Sequence, residues 1–159
     1  MKKVIIIGMV LILTLGLIAC SPQKAIEKAI MNQMGVDVSS DGDTYTIKGE
    51  DGDSSISVGD NQKWPKDKMG ELPELKCKVL STVSTNDGAV VIFDEVSKAD
   101  AKSYVEKLKS LGYDNDIWEM EGEEMLTFTG SNGDIVVSFS WVPNDNGKSG
   151  TGNVGYTKN

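Results

Sequence analysis

The amino-acid sequence predicts an α+β domain in which a mainly antiparallel sheet of about eight short strands and two amphipathic helices share one core. Three observations support this class. Most of the chain consists of short runs in which apolar and polar residues alternate, as in half-exposed strands. Asp-Gly and Asn-Asp-Gly turns separate several of these runs, and two other segments place apolar residues at helical spacing. We therefore expect the helices to cover one face of the sheet, while lysine and serine leave the other face in water.

The first helix is predicted over residues 22–34. Ser21 can cap its first turn, and Pro22 suits the first helical position because a backbone N–H there would have no helical partner. Alanine, isoleucine and methionine recur at helical spacing through the segment, and Gly35 follows as a stop. The pattern is that of an amphipathic helix.

A meander of short strands and an ordered loop are predicted next. The strands alternate on either side of Asp-Gly turns at residues 41–43 and 51–53, where glycine accepts the positive φ of a tight hairpin. Residues 64–75 contain proline and glycine and show no sustained period. We expect them to cross the domain as a loop held by two apolar anchors, Trp64 and Leu72.

The clearest hairpin joins residues 76–85 to residues 89–96 through an Asn-Asp-Gly turn. Four more strand segments are predicted further along the chain, at residues 117–120, 125–129, 134–142 and 153–157. The last of these follows a loop at residues 143–152 and is predicted to be an edge strand.

The second helix is predicted over residues 98–111. Ser97 and Asp100 match the acidic variant of a capping box, with a hydroxyl at the cap and a carboxylate three residues later. Tyrosine, valine and leucine form one apolar stripe along the segment. Gly112 and Tyr113 provide a stop signal, so both ends of this helix are marked in the sequence.

Residues 1–19 have the layout of a secretory signal peptide. Lys2 and Lys3 give a positive start, and residues 4–17 form an uncharged, mainly apolar run. As a helix, the uncharged span 4–19 would reach roughly 24 Å, which is short against a hydrocarbon core of about 30 Å. We therefore expect this segment to be removed and not to remain as a membrane anchor.

The segment ends in Leu17-Ile18-Ala19-Cys20, which resembles the lipobox of bacterial lipoproteins. The resemblance implies cleavage between Ala19 and Cys20, a diacylglycerol thioether on the Cys20 thiol, and optionally an N-acyl chain on the new terminus. Two acyl chains hold a protein firmly on a bilayer, at about 0.8 kcal/mol per buried CH₂. Residues 20–159 would then form a single domain on the outer face of the cell membrane. An uncleaved signal anchor with an incidental cysteine is the alternative.

Charge and composition exclude several classes of function. Once Lys2 and Lys3 are removed, 14 of the 16 lysines remain against 24 acidic residues, so the formal charge of the mature chain is −10. An acidic field repels phosphate, so nucleic acid is not expected as a partner. The chain has no histidine and no arginine, which excludes Ser-His-Asp and Cys-His nucleophilic systems and the usual zinc sites. No cofactor is expected beyond the acyl chains on Cys20.

Four aspartates, Asp41, Asp43, Asp51 and Asp53, are weak candidates for a metal site because calcium prefers hard oxygen ligands. They do not match the twelve-residue calcium loop, and Asp-Gly pairs are ordinary hairpin chemistry. The structural interpretation is preferred, and no metal is expected. The many acidic residues would also allow a carboxylate pair, but no feature selects two of them. The sequence therefore predicts no catalytic residue.

Three tryptophans are candidate ligand-binding residues. Exposed aromatic rings beside carboxylates can stack on a sugar ring or hold a peptide. The candidates for such rings are Trp64, Trp118 and Trp141. Core packing is the alternative for each of them, and Trp64 is expected to be the one that is partly exposed. Cys77 lies in an alternating segment, on the same side as Leu75 and Val79 and opposite to the flanking lysines, and is predicted to be a small buried hydrophobe.

Several blocks together carry a wider resemblance: the lipobox, IKGEDGDSSISVGDNQKWP, the PELK hairpin and the YVEKLKSLGY helix. They resemble a group of small lipoproteins of low-GC Gram-positive bacteria, to which no activity is assigned. We therefore expect a monomeric, non-enzymatic, membrane-anchored module that binds a glycan, a peptide or a protein of the cell envelope. An accessory or inhibitory subunit that docks onto a membrane protein is the first alternative, and a carboxylate-dependent hydrolase is the second.

Overall fold

One antiparallel sheet and one helix make up the part of the chain that the structure describes. The computed structural model describes residues 37–41, 44–49, 52–59, 62–145 and 147–159. In chain order the elements are β1 (Asp37–Asp41), β2 (Thr44–Lys48), β3 (Ser55–Gly59), β4 (Lys78–Ser84), β5 (Gly88–Val96), α1 (Lys98–Ser110), β6 (Asn115–Glu121), β7 (Leu126–Asn132), β8 (Ile135–Pro143) and β9 (Gly150–Lys158). The strand order is β1-β2-β3-β4-β5-β9-β8-β7-β6, and every neighbouring pair is antiparallel.

The predicted hairpins are confirmed. β1, β2 and β3 form the expected meander, and β4 pairs with β5 across the Asn-Asp-Gly turn. The turn closes where the N–H of Thr85 donates to the C=O of Gly88 at 2.8 Å. A Cβ atom on Gly88 would lie 1.9 Å from the carbonyl oxygen of Tyr156. Glycine at this position therefore lets β9 approach the turn closely.

Helix α1 begins and ends where the sequence signals predict, within one residue. The Ser97 hydroxyl accepts a hydrogen bond from the N–H of Asp100 at 3.1 Å and donates one to the Asp100 carboxylate at 2.6 Å. At the other end, Gly112 has a φ of 90°, and the N–H of Tyr113 donates to the C=O of Leu108 at 3.3 Å. These are features of a Schellman motif. No helix within the described ranges has the length and apolarity needed to cross a membrane.

The core lies between α1 and one face of the sheet. Phe139 of β8 stacks on Phe93 of β5 with ring centroids 5.7 Å apart, and it lies 5.5 Å from the ring of Tyr104 on α1. The indole N–H of Trp141 donates to the C=O of Val96 at 2.9 Å, which satisfies a polar atom inside an apolar interior. We call this side of the sheet the helix face and the opposite side the open face.

The predicted crossing loop, residues 64–75, packs into the same core. Both predicted anchors, Trp64 and Leu72, are buried there. The hydroxyl of Tyr104 donates to the C=O of Pro73 at 2.9 Å and ties the loop to α1. Burial raises the pKa of this phenol, so Tyr104 remains a hydrogen-bond donor at neutral pH.

The predicted two-helix α+β class is wrong. The described residues form one antiparallel sheet with a single helix, although the sheet part of the prediction is confirmed. The predicted first helix, residues 22–34, lies outside the described residues. On the helix face, the crossing loop supplies cover beside α1, through four buried side chains: Trp64, Met69, Leu72 and Leu75.

The prediction that the last strand is an edge strand is wrong, because β9 is central in the sheet. β9 lies between β5 and β8, and the edges of the described sheet are β1 and β6. The glycines of β9 explain this position. A Cβ on Gly150 would lie 2.3 Å from the indole nitrogen of Trp141, and a Cβ on Gly152 would lie 2.9 Å from the Phe93 ring. The strand therefore lacks side chains where its neighbours' aromatic rings need space.

Candidate functional site

The three candidate tryptophans do not share a surface. Trp141 is 3% exposed and Trp64 is 6% exposed, whereas Trp118 on β6 is 56% exposed. The expectation that Trp64 is partly exposed is wrong, because the crossing loop carries its ring into the core cluster. Of the three rings, Trp118 is the one that a ligand can reach.

Apolar side chains on the open face align in rows, because directly opposed residues of antiparallel strands point to the same side. Val90 and Ile92 alternate with the buried Val91 and Phe93, so they lie on the open face. Two rows across β2, β3, β4 and β5 are apolar except at Ser81, and we call their apolar members the apolar patch: Ile47, Ile56, Val83 and Val90 in one row, and Tyr45, Val58 and Ile92 in the next.

The apolar patch is open to solvent. Four of its members are between 37% and 46% exposed: Tyr45, Val58, Val90 and Ile92. On the helix face of β2 and β3 the side chains are polar, and the hydroxyls of Thr46 and Ser57 share a hydrogen bond of 2.9 Å. β2 and β3 therefore turn their apolar side away from the core, whereas β7 and β8 turn theirs toward it.

A polar band separates the apolar patch from the edge strand β6. Its members are uncharged and lie on the open face of β7, β8 and β9: Thr127, Thr129, Ser138, Ser140 and Asn153. The Asn153 amide donates to the Ser140 hydroxyl at 2.7 Å. Beyond the band, β6 places Trp118 opposite Thr129 and Met120 opposite Thr127. The open face therefore carries two apolar regions at its two ends.

An open groove of about 550 Å³ lies beside the crossing loop, and Trp64, Glu74 and Cys77 contribute to its lining. Cys77 is half-buried and packs against the core, so it is less buried than predicted. Burial, and secondarily the Glu74 charge, raise the pKa of this thiol from 9.0 to about 11. The thiol stays protonated at neutral pH and is therefore a poor nucleophile.

We expect the Cys77 thiol to react slowly with alkylating reagents in the folded protein. At pH 8 its thiolate fraction is about a hundredfold lower than in the unfolded chain, because two pKa units separate the states. The Cys20→Ala chain keeps Cys77 as its one thiol, so mass spectrometry can follow its alkylation with and without urea. The folded rate should climb toward pH 11. Equal rates in both states at pH 8 would contradict the burial argument.

Two carboxyl groups with a lowered pKa serve structure. The Asn144 amide donates to Asp94 at 2.9 Å and lowers the pKa of that carboxyl. The Lys102 ammonium pairs with Glu121 and lowers its pKa as well. A general acid needs the opposite shift, toward neutral pH. Neither group therefore resembles an acid catalyst.

The four weak metal candidates lie only partly within the described residues. Asp43 and Asp51 lie outside the described residues, Asp41 ends β1, and Asp53 is exposed. Within the described ranges, no three or more cysteine, aspartate and glutamate side chains are arranged to hold a metal ion. The described aspartates act as hairpin and loop residues.

The apolar patch is the feature that the sequence reasoning missed. A signal for it was present in β5, whose run Ala-Val-Val-Ile-Phe is apolar at consecutive positions and so indicates contacts on both faces of the sheet. The alternating residues of β2 and β3 gave no such signal, because alternation does not say which face the core covers.

Comparisons of this chain with protein families, with curated proteins and with solved structures find no match.

Proposed function

We propose that this protein is a lipid-anchored, extracytoplasmic, non-enzymatic module that binds another protein of the cell envelope through its apolar patch. The lipobox at residues 17–20 supports the anchor, with acyl chains on Cys20 after cleavage of residues 1–19. The outer face of the cell membrane is then the location of the folded domain.

The proposal rests on the face of the sheet that carries the apolar side chains, because that face differs between the two ends of the sheet. β2 and β3 place their apolar side chains on the open face and their hydroxyl groups on the helix face. An exposed row of Tyr45, Val58 and Ile92 costs solubility and adds nothing to the core, so a binding role explains it better than stability does.

The chemistry of the patch favours a protein over a glycan. Six of its seven side chains are aliphatic, and Tyr45 is its one aromatic ring. Sugar binding relies on stacking against exposed aromatic rings, and two of the three candidate tryptophans are buried. A flat aliphatic surface instead resembles the central part of a protein interface. It supplies contact area and no acid, base or nucleophile.

The length of chain after the proposed lipid supports a partner at the membrane. Sixteen residues separate Cys20 from Asp37, where β1 begins. Even fully extended they span roughly 60 Å at about 3.5 Å per residue. This limit favours, as a second candidate, an accessory subunit that docks onto a membrane protein.

Site-directed photo-cross-linking in native cells tests the proposed function. A photoreactive phenylalanine analogue at Val58 should give a discrete cross-linked species in the membrane fraction. The same analogue at Lys107, exposed on α1 on the other side of the sheet, serves as the control and should give none. Adding Ile92→Lys to the Val58 probe should lower the yield about tenfold, because it puts a charge into the apolar contact. Equal products from positions 58 and 107, or none from 58, would refute the proposal.

A further inference from the structure

We propose that the free edge of β6 binds an extended, lysine- or arginine-bearing segment of another polypeptide, which adds to the sheet as a further strand. This site is separate from the apolar patch. The polar band on β7, β8 and β9 lies between them, so either site can fail experimentally without the other.

The geometry of β6 suits strand addition. It is the terminal strand of the described sheet, it pairs with β7 on one side, and all seven of its residues are exposed. A bulge interrupts its first half, where Asp116 has a φ of 49° and accepts a hydrogen bond from the Ser131 hydroxyl at 3.0 Å. From Trp118 to Glu121 the register with β7 is regular. This stretch offers an ordered ladder of backbone groups to an incoming strand.

The two faces of this stretch differ in chemistry. Trp118 and Met120 lie on the open face, 56% and 46% exposed. Glu119 and Glu121 lie on the helix face, opposite Phe128 and Leu126 of β7. An added strand would therefore place apolar side chains beside Trp118 and Met120, and its alternate side chains beside the two glutamates. Alternating apolar and basic residues fit this edge.

Charge around the edge favours a basic partner. Residues 110–147 contain eight acidic residues and no basic one. Lys109 pairs with Glu119 at 2.8 Å and Lys102 pairs with Glu121, so these opposite charges balance each other, and Lys98 donates to the C=O of Gly122 at 2.7 Å. The net negative charge of the edge therefore comes from its other acidic residues.

The surplus of negative charge also argues against self-pairing of the edge. In the described part of the chain, the exposed Asp114, Glu123 and Glu124 form no ion pair, so negative charge remains next to β6. A second copy would bring an identical acidic edge against this one, and like charges opposed across a strand pair are destabilising. This edge would attract a basic segment electrostatically, whereas it would repel a second copy of itself.

Peptide binding to the full-length chain in detergent tests the inference. The probes are capped six-residue peptides of alternating lysine and valine, the same peptide with alternate N-methylated amides, and the alternating glutamate and valine version. Trp118 is the exposed tryptophan, so strand addition should shift tryptophan emission to shorter wavelength. The lysine peptide should bind, more weakly as salt rises. N-methylation, which removes ladder hydrogen bonds and keeps the charge, should weaken binding at least about tenfold.

Two equally exposed positions provide matched variants. Met120→Lys should weaken binding of the lysine peptide about tenfold, and Val58→Lys, at the other end of the open face, should leave it unchanged; both wild-type side chains are 46% exposed. Four outcomes would overturn the inference: no binding of the lysine peptide, equal binding of its N-methylated form, equal binding of the glutamate peptide, or a dimer in sedimentation that Met120→Lys abolishes. The first three need no variant, so they hold whether or not a variant folds.

Discussion

Replacing Phe139 by alanine is expected to lower the free energy of unfolding by about 3–5 kcal/mol. The ring is 2% exposed and contacts Phe93 of β5 and Tyr104 of α1, so it joins the centre of the sheet to the helix. Its removal leaves a cavity between rigid elements that cannot collapse freely. For a domain of this size such a loss is a large fraction of the total stability.

Urea unfolding followed by tryptophan emission measures this change. The matched control is Val142→Ala on the same strand, because Val142 is 43% exposed on the open face. It should cost less than about 1 kcal/mol. Both variants should keep the slope of the wild-type transition, so that the shift in midpoint reports stability. Similar losses in the two variants would mean that the core does not lie on the helix face of β8.

Replacing Cys20 by alanine is expected to release the protein from the membrane. The lipobox resemblance places two acyl chains on the Cys20 thiol, and without the thiol no thioether can form. The uncharged span 4–19 is short for a permanent membrane anchor, so the acyl chains are expected to provide the firm attachment. We expect cells fed a clickable fatty acid to label the wild-type protein and not the Cys20→Ala variant.

Cys77→Ala is the control for this experiment, because Cys77 is the other cysteine of the chain and lies in the folded domain. It should remain labelled and stay in the membrane fraction. No label in the wild-type protein, or label that survives Cys20→Ala, would refute the lipoprotein interpretation. An uncleaved signal anchor predicts membrane retention of both variants without label.

Local elements were predictable because their signals act over a few residues. The cap at Ser97, the stop at Gly112 and the Asn-Asp-Gly turn before β5 each involve hydrogen bonds between residues at most five positions apart. Those bonds form whatever the remainder of the chain does. The bounds of α1 and of the β4–β5 hairpin therefore agree with the prediction within about two residues.

The candidate site was less predictable, because exposure depends on partners far along the chain. The sequence favours Trp64 over Trp118 as a surface residue, yet the Trp64 ring enters the core and Trp118 lies exposed on an edge strand. Trp64 is buried because the crossing loop carries its ring into the core cluster, and Trp118 is exposed because no described strand follows β6 in the sheet. The exposure of neither ring can be inferred from its neighbours in the sequence.

The sequence by itself determined the ends of α1, the hairpin turn before β5, the absence of histidine chemistry and the resemblance of residues 17–20 to a lipobox, since each depends on residue identity or on short spacing. Only the tertiary structure decided that β9 is central and that Tyr45, Val58 and Ile92 form one surface. The physical reason lies in strand pairing. A strand's alternation defines two faces, but the face that meets the core is chosen by neighbours such as Asn153, which lies opposite Ile92 from the far end of the chain.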